Sequence, residues 1–290
     1  MHPAPSIIAF TTLSGLGLGL LALLGLGAIE PRGLAALVWF GLGYGLTLAG
    51  LAASAGHLGH PERALRAFTQ WRTSWLSREA VLAAAALLTM APHAAGLVFW
   101  SMPVPFMGTL SAVLCLMTVL ATSMIYAQLR TVPRWNHWTT PASFLAASLA
   151  GGAILATRVD VAELLLPWLA LALAAHWLLG DRQFARRGST LETATGLGAL
   201  GRVRQLEPPH TGTNYLLREM AFVVARRHAA RLRALALLFA CLVPAVLLWA
   251  LPGWIGLGLA LACHLAGMLA SRWLFFAEAE HVVGLYYGRR

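Results

Sequence analysis

The sequence predicts an all-α, polytopic membrane protein built as a bundle of eight transmembrane helices. Three observations predict it. The 290-residue chain is 59% hydrophobic and only 11% charged, whereas an ordinary soluble domain carries about 25% charged residues. Its apolar residues fall into runs of about 20, the length that crosses a bilayer as a helix. Pro and Gly mark the junctions between runs, at Pro31 and Gly33, Pro103 and Pro105, Pro133, and Pro252 and Gly253. Inside a bilayer every backbone polar group needs an internal partner, so runs of this kind read as helices.

The spans fall at roughly 6–28, 34–56, 78–101, 105–128, 139–157, 160–180, 232–251 and 254–277, and residues 1–290 read as a single integral membrane domain. The fifth span is the shortest. The N-terminal MHPAPSII lacks a charged leader and a small-residue cleavage site, so the first run reads as a retained span. Gly15 with Gly19, and Gly41 with Gly45, have the GxxxG spacing that lets helix backbones approach. Spans one and two are therefore expected to pack together. A long connection, 181–231, breaks the regular alternation. Its GLGALG at Gly196–Gly201 matches GxGxxG, but no strand precedes it, so it reads as a glycine-rich loop. Asn214–His228 reads as a surface helix, with Met220, Phe222, Val223 and Val224 on one side and Arg218, Arg226 and Arg227 on the other.

All 21 cationic side chains are arginine and the net charge is +10. No nucleic-acid-binding module accompanies this charge, so it reads as an orientation signal and contact with lipid phosphate, with no nucleic-acid partner. Eight spans put both termini on one side, called side one here. Side two carries only Arg32 and Arg158, offset by Glu30 and by Asp160 and Glu163. The other 19 arginines, counting Arg272 near the end of span eight, fall on side one. The positive-inside rule then places both termini, the whole His57–Glu79 segment and the long connection in the cytoplasm.

Cys115, Cys241 and Cys263 are scattered in apolar runs without CxxC spacing, so no iron–sulfur cluster is expected in this chain and the thiols read as small packing residues. His93, His176 and His264 lie within spans three, six and eight, with His176 placed near the side-two end of its span. Only His93 and His264 could share a depth suited to bis-His haem ligation, and the expectation is interhelical hydrogen bonding with no bound haem.

The chemistry concentrates in Ser54–Ala80, which carries His57, His60, Glu62, Arg63, Arg66, Arg72, Arg78 and Glu79 between two spans. Pro61 suits the first turn of a helix. Leu65, Phe68, Trp71 or Arg72, and Trp75 then recur every three to four residues, as on a short helix lying along the membrane. Arg63 and Arg66 point towards water or phosphate. Ser77 and Glu79 open span three, where a carboxylate favours the positive helix end. His57 and Glu79 thereby share a membrane surface. A quinone takes up two protons with two electrons, so its oxygens need partners that give or take a proton near neutral pH. Arg and Trp can line the entrance. On the residues alone, the plainer reading is an interfacial loop with a snorkelling His and a helix-capping Glu. Tyr126, Trp135, Asn136 and His137, at the side-one mouth between spans four and five, read as interface anchors or as walls of the pocket. Glu278, Glu280 and His281 read as a solvated helix end, or as a proton exit. A transporter would call for mid-membrane charge and matching halves. The charges instead cluster at span ends and no repeat is evident, which leaves transport a distant alternative.

Taken together, HPAPSIIAFTTLSGLGLGL, HLGHPERALRAF followed by SWLSREA, and TVPRWNHWTTP at Thr131–Pro141 resemble the dimethyl sulfoxide reductase anchor subunit family over essentially the whole chain. The resemblance implies a subunit of a bacterial inner membrane that anchors a molybdopterin catalytic subunit and a four-cluster ferredoxin-like iron–sulfur subunit. Such a subunit exchanges electrons with ubiquinone or menaquinone as an exchangeable substrate. It implies a quinone site near His57 and Glu79, with either Arg63 or Arg66 matching the family's arginine; Trp75, Ser77, Tyr126 and Trp135 complete the candidate set. The N-terminus and the ATGLG…RVRQLEPPHTGTNYLLREM stretch resemble the branch of cytoplasmic, quinone-dependent sulfite dehydrogenases. The arginine count points the same way. The alternative is a menaquinol-oxidising anchor of an anaerobic dimethyl sulfoxide reductase.

Overall fold

Eight apolar helices follow one another along the chain: α1 (Pro5–Gly25), α2 (Leu34–Ala55), α3 (Trp75–Phe99), α4 (Pro105–Ala127), α5 (Thr139–Leu155), α6 (Val159–Arg187), α7 (Ala229–Ala250) and α8 (Trp254–Ala277). The computed structural model describes residues 2–56, 61–207, 212 and 228–287, the side chains of 61–64 excepted. Seven helices are long and apolar enough to cross a membrane, and α5, with 17 residues, is a shorter apolar helix. No strand occurs among the described residues.

The helix ends follow local chemistry. Pro5 and Pro105 open α1 and α4, where a missing N–H costs nothing. Ser74 caps α3. The largest departure from the expected spans is α6, which continues past residue 180 to Arg187. The apolar run ends at 180, but Asp-Arg-Gln-Phe-Ala-Arg-Arg is a good polar helix. Arg186 and Arg187 complement its last carbonyls, and Gly188, at φ 63°, closes it in the left-handed region. The long connection is therefore shorter than 181–231. It contains a short helix, Leu191–Thr195, capped reciprocally by Thr190 and Thr193, and a turn at Gly198–Leu200. The surface helix expected at Asn214–His228 lies outside the described residues, apart from His228.

Helix α1 is the hub. It touches α2, α3, α4, α5 and α8, and 15 of its 21 residues are buried. That is how a helix apolar on every side comes to sit inside protein. Its seam with α2 forms as expected, but through other residues. Gly43, Thr47 and Gly50 line one face of α2 against Ser14, Gly17 and Leu21 of α1, while Gly41 and Gly45 face open space. Gly19 turns to α5, where it meets Ser148 and Gly152, and Gly25 meets Gly108 of α4. Spacing alone cannot choose between faces; the seam follows the stripe that carries Thr47, whose Oγ1 returns to the Gly43 carbonyl at 2.8 Å and leaves the groove smooth. A β-carbon at Gly152 would stand 2.7 Å from the Gly19 carbonyl oxygen, in rigid backbone. Gly152→Val is therefore expected to destabilise the protein by about 1–3 kcal/mol, read as a lowered melting temperature in detergent. Gly41→Ala, on an open face, should leave it unchanged.

Helices α6, α7 and α8 close the bundle beyond α5. Helix α7 contains a π turn at Leu238–Leu242. Gly267 of α8 lets this turn approach, and His264 Nδ1 lies 2.7 Å from the Ala240 carbonyl. His93 meets the Val104 carbonyl at 3.1 Å instead, so the two histidines are held by different backbone segments. His176 corrects an expectation. Helix α6 runs from side two to side one, so a residue late in it lies near side one; His176 Nδ1 meets Thr139, the first residue of α5, at 3.2 Å.

Candidate functional site

The connection into α3 is tied to the helix it precedes. Ser74 Oγ accepts from the Ser77 amide at 3.5 Å, and Ser77 Oγ accepts from the Gln70 amide at 3.2 Å. Pro61–Phe68 forms a 3-10 helix, and Trp75 is already the first residue of α3, not the end of a surface helix. With Ser74 as cap, Glu79 falls in the second turn of α3 and points inward. It is 3% exposed and accepts a hydrogen bond from Thr122 Oγ1 of α4. Glu79 therefore does not cap the helix.

The Thr122 hydroxyl has one proton and two acceptors within reach, the Glu79 carboxyl and the Thr118 carbonyl at 3.0 Å. When Thr122 donates to Thr118, a protonated Glu79 can donate to Thr122. When Glu79 is ionised, Thr122 donates to it. The pair accommodates both states of the carboxyl without moving a helix.

Tyr126 follows Thr122 by one turn on the same face of α4. Its ring lies 5.3 Å from both Trp135 and Phe275, 5.4 Å from Phe276 and 5.9 Å from Phe144. Trp135 stacks on Phe275 at 5.2 Å and donates its Nε1–H to the Phe275 carbonyl at 2.9 Å. It is 1% exposed, so it is a core residue and not an interface anchor; Trp138, 63% exposed, faces the surroundings instead. Asn136 donates to the Ala127 carbonyl at 2.5 Å. His137 Nδ1 meets the Thr139 hydroxyl at 3.0 Å, and that hydroxyl also meets His176. Burial and the nearby Arg186 charge hold the His137 imidazole below its usual range.

The structure thus brings Ser77, Glu79, Tyr126 and Trp135 into the bundle near side one. Trp75 is half-buried at its edge, with the Arg78 guanidinium 4.3 Å from its ring centroid. Arg66 is exposed. His57 and the Arg63 side chain lie outside the described residues.

Three features were not anticipated. Thr122 had no signal in the sequence, since a lone Thr in a span is ordinary. Arg272, counted by sequence with the side-one surface, points into the bundle, is 4% exposed, and holds its guanidinium 3.6 Å from the Phe144 ring centroid. An Arg inside an apolar run was the available signal. Glu278, expected at a solvated end or proton exit, is buried in a four-charge network. Arg233 meets Glu278 at 2.8 Å and Asp181 at 2.7 Å, and Arg134 meets Asp181 at 2.6 Å and Glu278 at 3.9 Å. This network ties the α4–α5 connection and α6 to α7 and α8.

The family model for the DMSO reductase anchor subunit (DmsC) matches residues 1–288. A sulfite dehydrogenase subunit of Allochromatium vinosum is 34% identical over 323 aligned positions, covering 99% of each chain. No solved structure matches the chain.

Proposed function

Because the chain belongs to the DMSO reductase anchor subunit family, and so is a membrane anchor subunit of an oxidoreductase, we propose that it exchanges electrons between the quinone pool and a partner iron–sulfur subunit. A molybdopterin subunit lies beyond that partner. The substrate reading is sulfite. Its oxidation by water at the molybdenum subunit yields sulfate, two protons and two electrons, and the electrons pass through the iron–sulfur subunit to a quinone, which takes up two protons to become quinol. The sulfite dehydrogenase relative supports this substrate, and the arginine excess on side one supports a cytoplasmic docking face.

The observation that carries the quinone reading is the buried Glu79–Thr122 pair, a carboxyl able to hold or release a proton inside an apolar bundle. Tyr126 and Trp135 form the aromatic wall behind it, and Ser77 fixes the entry to α3. His57 is the proton-exchanging partner for the second quinone oxygen, and Arg66 or Arg63 with Trp75 lines the approach from the interface. The test is His57→Ala in the intact complex. Quinone-linked turnover should fall at least about tenfold, while assembly and turnover with an artificial acceptor stay at wild-type levels. Normal quinone turnover together with normal binding of a quinone-analogue inhibitor would refute the assignment.

A further inference from the structure

Arg272 is the one charge within the described bundle that the quinone site and the four-charge network leave unused. It sits just over a turn before the end of α8, inside a span. Arginine is not deprotonated in proteins, and a charge held at this depth is costly unless compensated. The face of Phe144, 3.6 Å from the guanidinium carbon, compensates part of it. The charges nearer side one do not, because Arg134 and Arg233 are already matched by Asp181 and Glu278.

The other edge of the guanidinium offers no anion either. Among the described residues its Nε is buried without a hydrogen-bond partner, as is the Thr12 hydroxyl. Both residues line a cavity of about 20 Å³ with Thr11, Ser148 and His264, none of them acidic. That volume suits a single water and is too small for a ring. Besides Glu278, the fully buried carboxylate among the described residues is Glu79, while Glu280 lies half-buried past the end of α8. A chain of side-chain contacts leads towards Glu79. Phe144 meets both the Arg272 guanidinium and the Tyr126 ring. Tyr126 lies one turn from Thr122, and Thr122 holds Glu79. The other titratable groups facing this space, among the described residues, are His264, which meets the Ala240 carbonyl, and His176, stacked on Phe275 and bonded to Thr139.

We propose that Arg272 is a positioning residue for the candidate quinone site, its fixed positive charge acting past Phe144 and Tyr126 to favour negative charge at Glu79 and at a quinone oxygen beside it. This rests on the quinone reading. In the intact complex, Arg272→Gln should move the pH profile of quinone-linked turnover to higher pH by about one unit, because the charge that favoured the carboxylate is gone. Arg272→Lys, which keeps the charge, should hold the profile near wild type. In a Glu79→Gln background the Arg272 change should produce no further shift. If Arg272→Gln does not assemble, Arg272→Met, whose apolar side chain suits a span, is measured in its place. An unmoved profile in the neutral variant, or a shift that persists without Glu79, overturns the assignment. Failure of the quinone reading looks different: Glu79→Gln would then leave quinone-linked turnover unchanged whatever residue stands at 272.

Discussion

Glu79→Gln lowers quinone-linked turnover about 100-fold, the scale expected when a positioned proton donor and acceptor is removed. The protein still folds and the complex still passes electrons to an artificial acceptor. Gln is nearly isosteric with Glu and keeps an oxygen that accepts from Thr122, so the α3–α4 contact survives. What disappears is the ability to hold a proton in one step and release it in the next. A Gln amide can donate a hydrogen bond but cannot give up its proton. Quinone-analogue affinity should change much less than turnover, because shape and burial are retained. The deciding measurement is steady-state turnover with a soluble quinone beside turnover with an artificial acceptor, on the same preparation. Equal losses with both would place the defect in folding or in the partner subunits.

Arg233→Ala costs about 3 kcal/mol of stability, because removing one member of a buried ion pair strands the other. Glu278 is 4% exposed and has Arg233 at 2.8 Å but Arg134 only at 3.9 Å. After the substitution, Arg134 alone faces two carboxylates, and it already meets Asp181 at 2.6 Å. The buried Glu278 is then left without its nearest cation. Arg233→Ala with Glu278→Ala should recover part of the loss, since the stranded carboxylate goes with its partner. Thermal unfolding of the detergent-purified protein reads the effect, and a loss below about 0.5 kcal/mol, the ordinary scatter of surface substitutions, would mean that the network is not structural. Turnover per folded complex should be unaffected by either variant.

The spans were legible because a run of some 20 apolar residues has few alternatives in a membrane. Where polar helix follows apolar helix, as from Asp181 to Arg187, hydropathy marks the end of the apolar run and not the end of the helix. The α1–α2 contact was legible as a tendency of glycine-rich helices, while the face that made it depended on Thr47, Ser14 and Leu21, whose roles only packing reveals. Glu79 was readable as a candidate from its type and its place at the mouth of a span. Its partner was not, because Thr122 is 43 residues away on another helix. Glu278 and Arg272 were misplaced for a related reason. A charge near the end of a span reads as facing water, yet a helix turns its neighbours in different directions within a single turn. Trp135 shows the same limit, since the aromatic preference for interfaces does not distinguish an anchor from a core ring hydrogen-bonded to the Phe275 carbonyl.

The central place of α1 has a consequence for how the protein is made. Synthesis runs towards the C-terminus, so α1 leaves the ribosome before every helix it packs against. Helix α8 follows it by about 230 residues, a delay on the order of tens of seconds at typical translation rates. Until α4 and α5 dock, acyl chains face the notches at Gly19 and Gly25 that later receive Ser148, Gly152 and Gly108. Each later helix then displaces lipid as it docks. A nascent chain halted before α8 would leave the α8-facing side of α1 open to lipid.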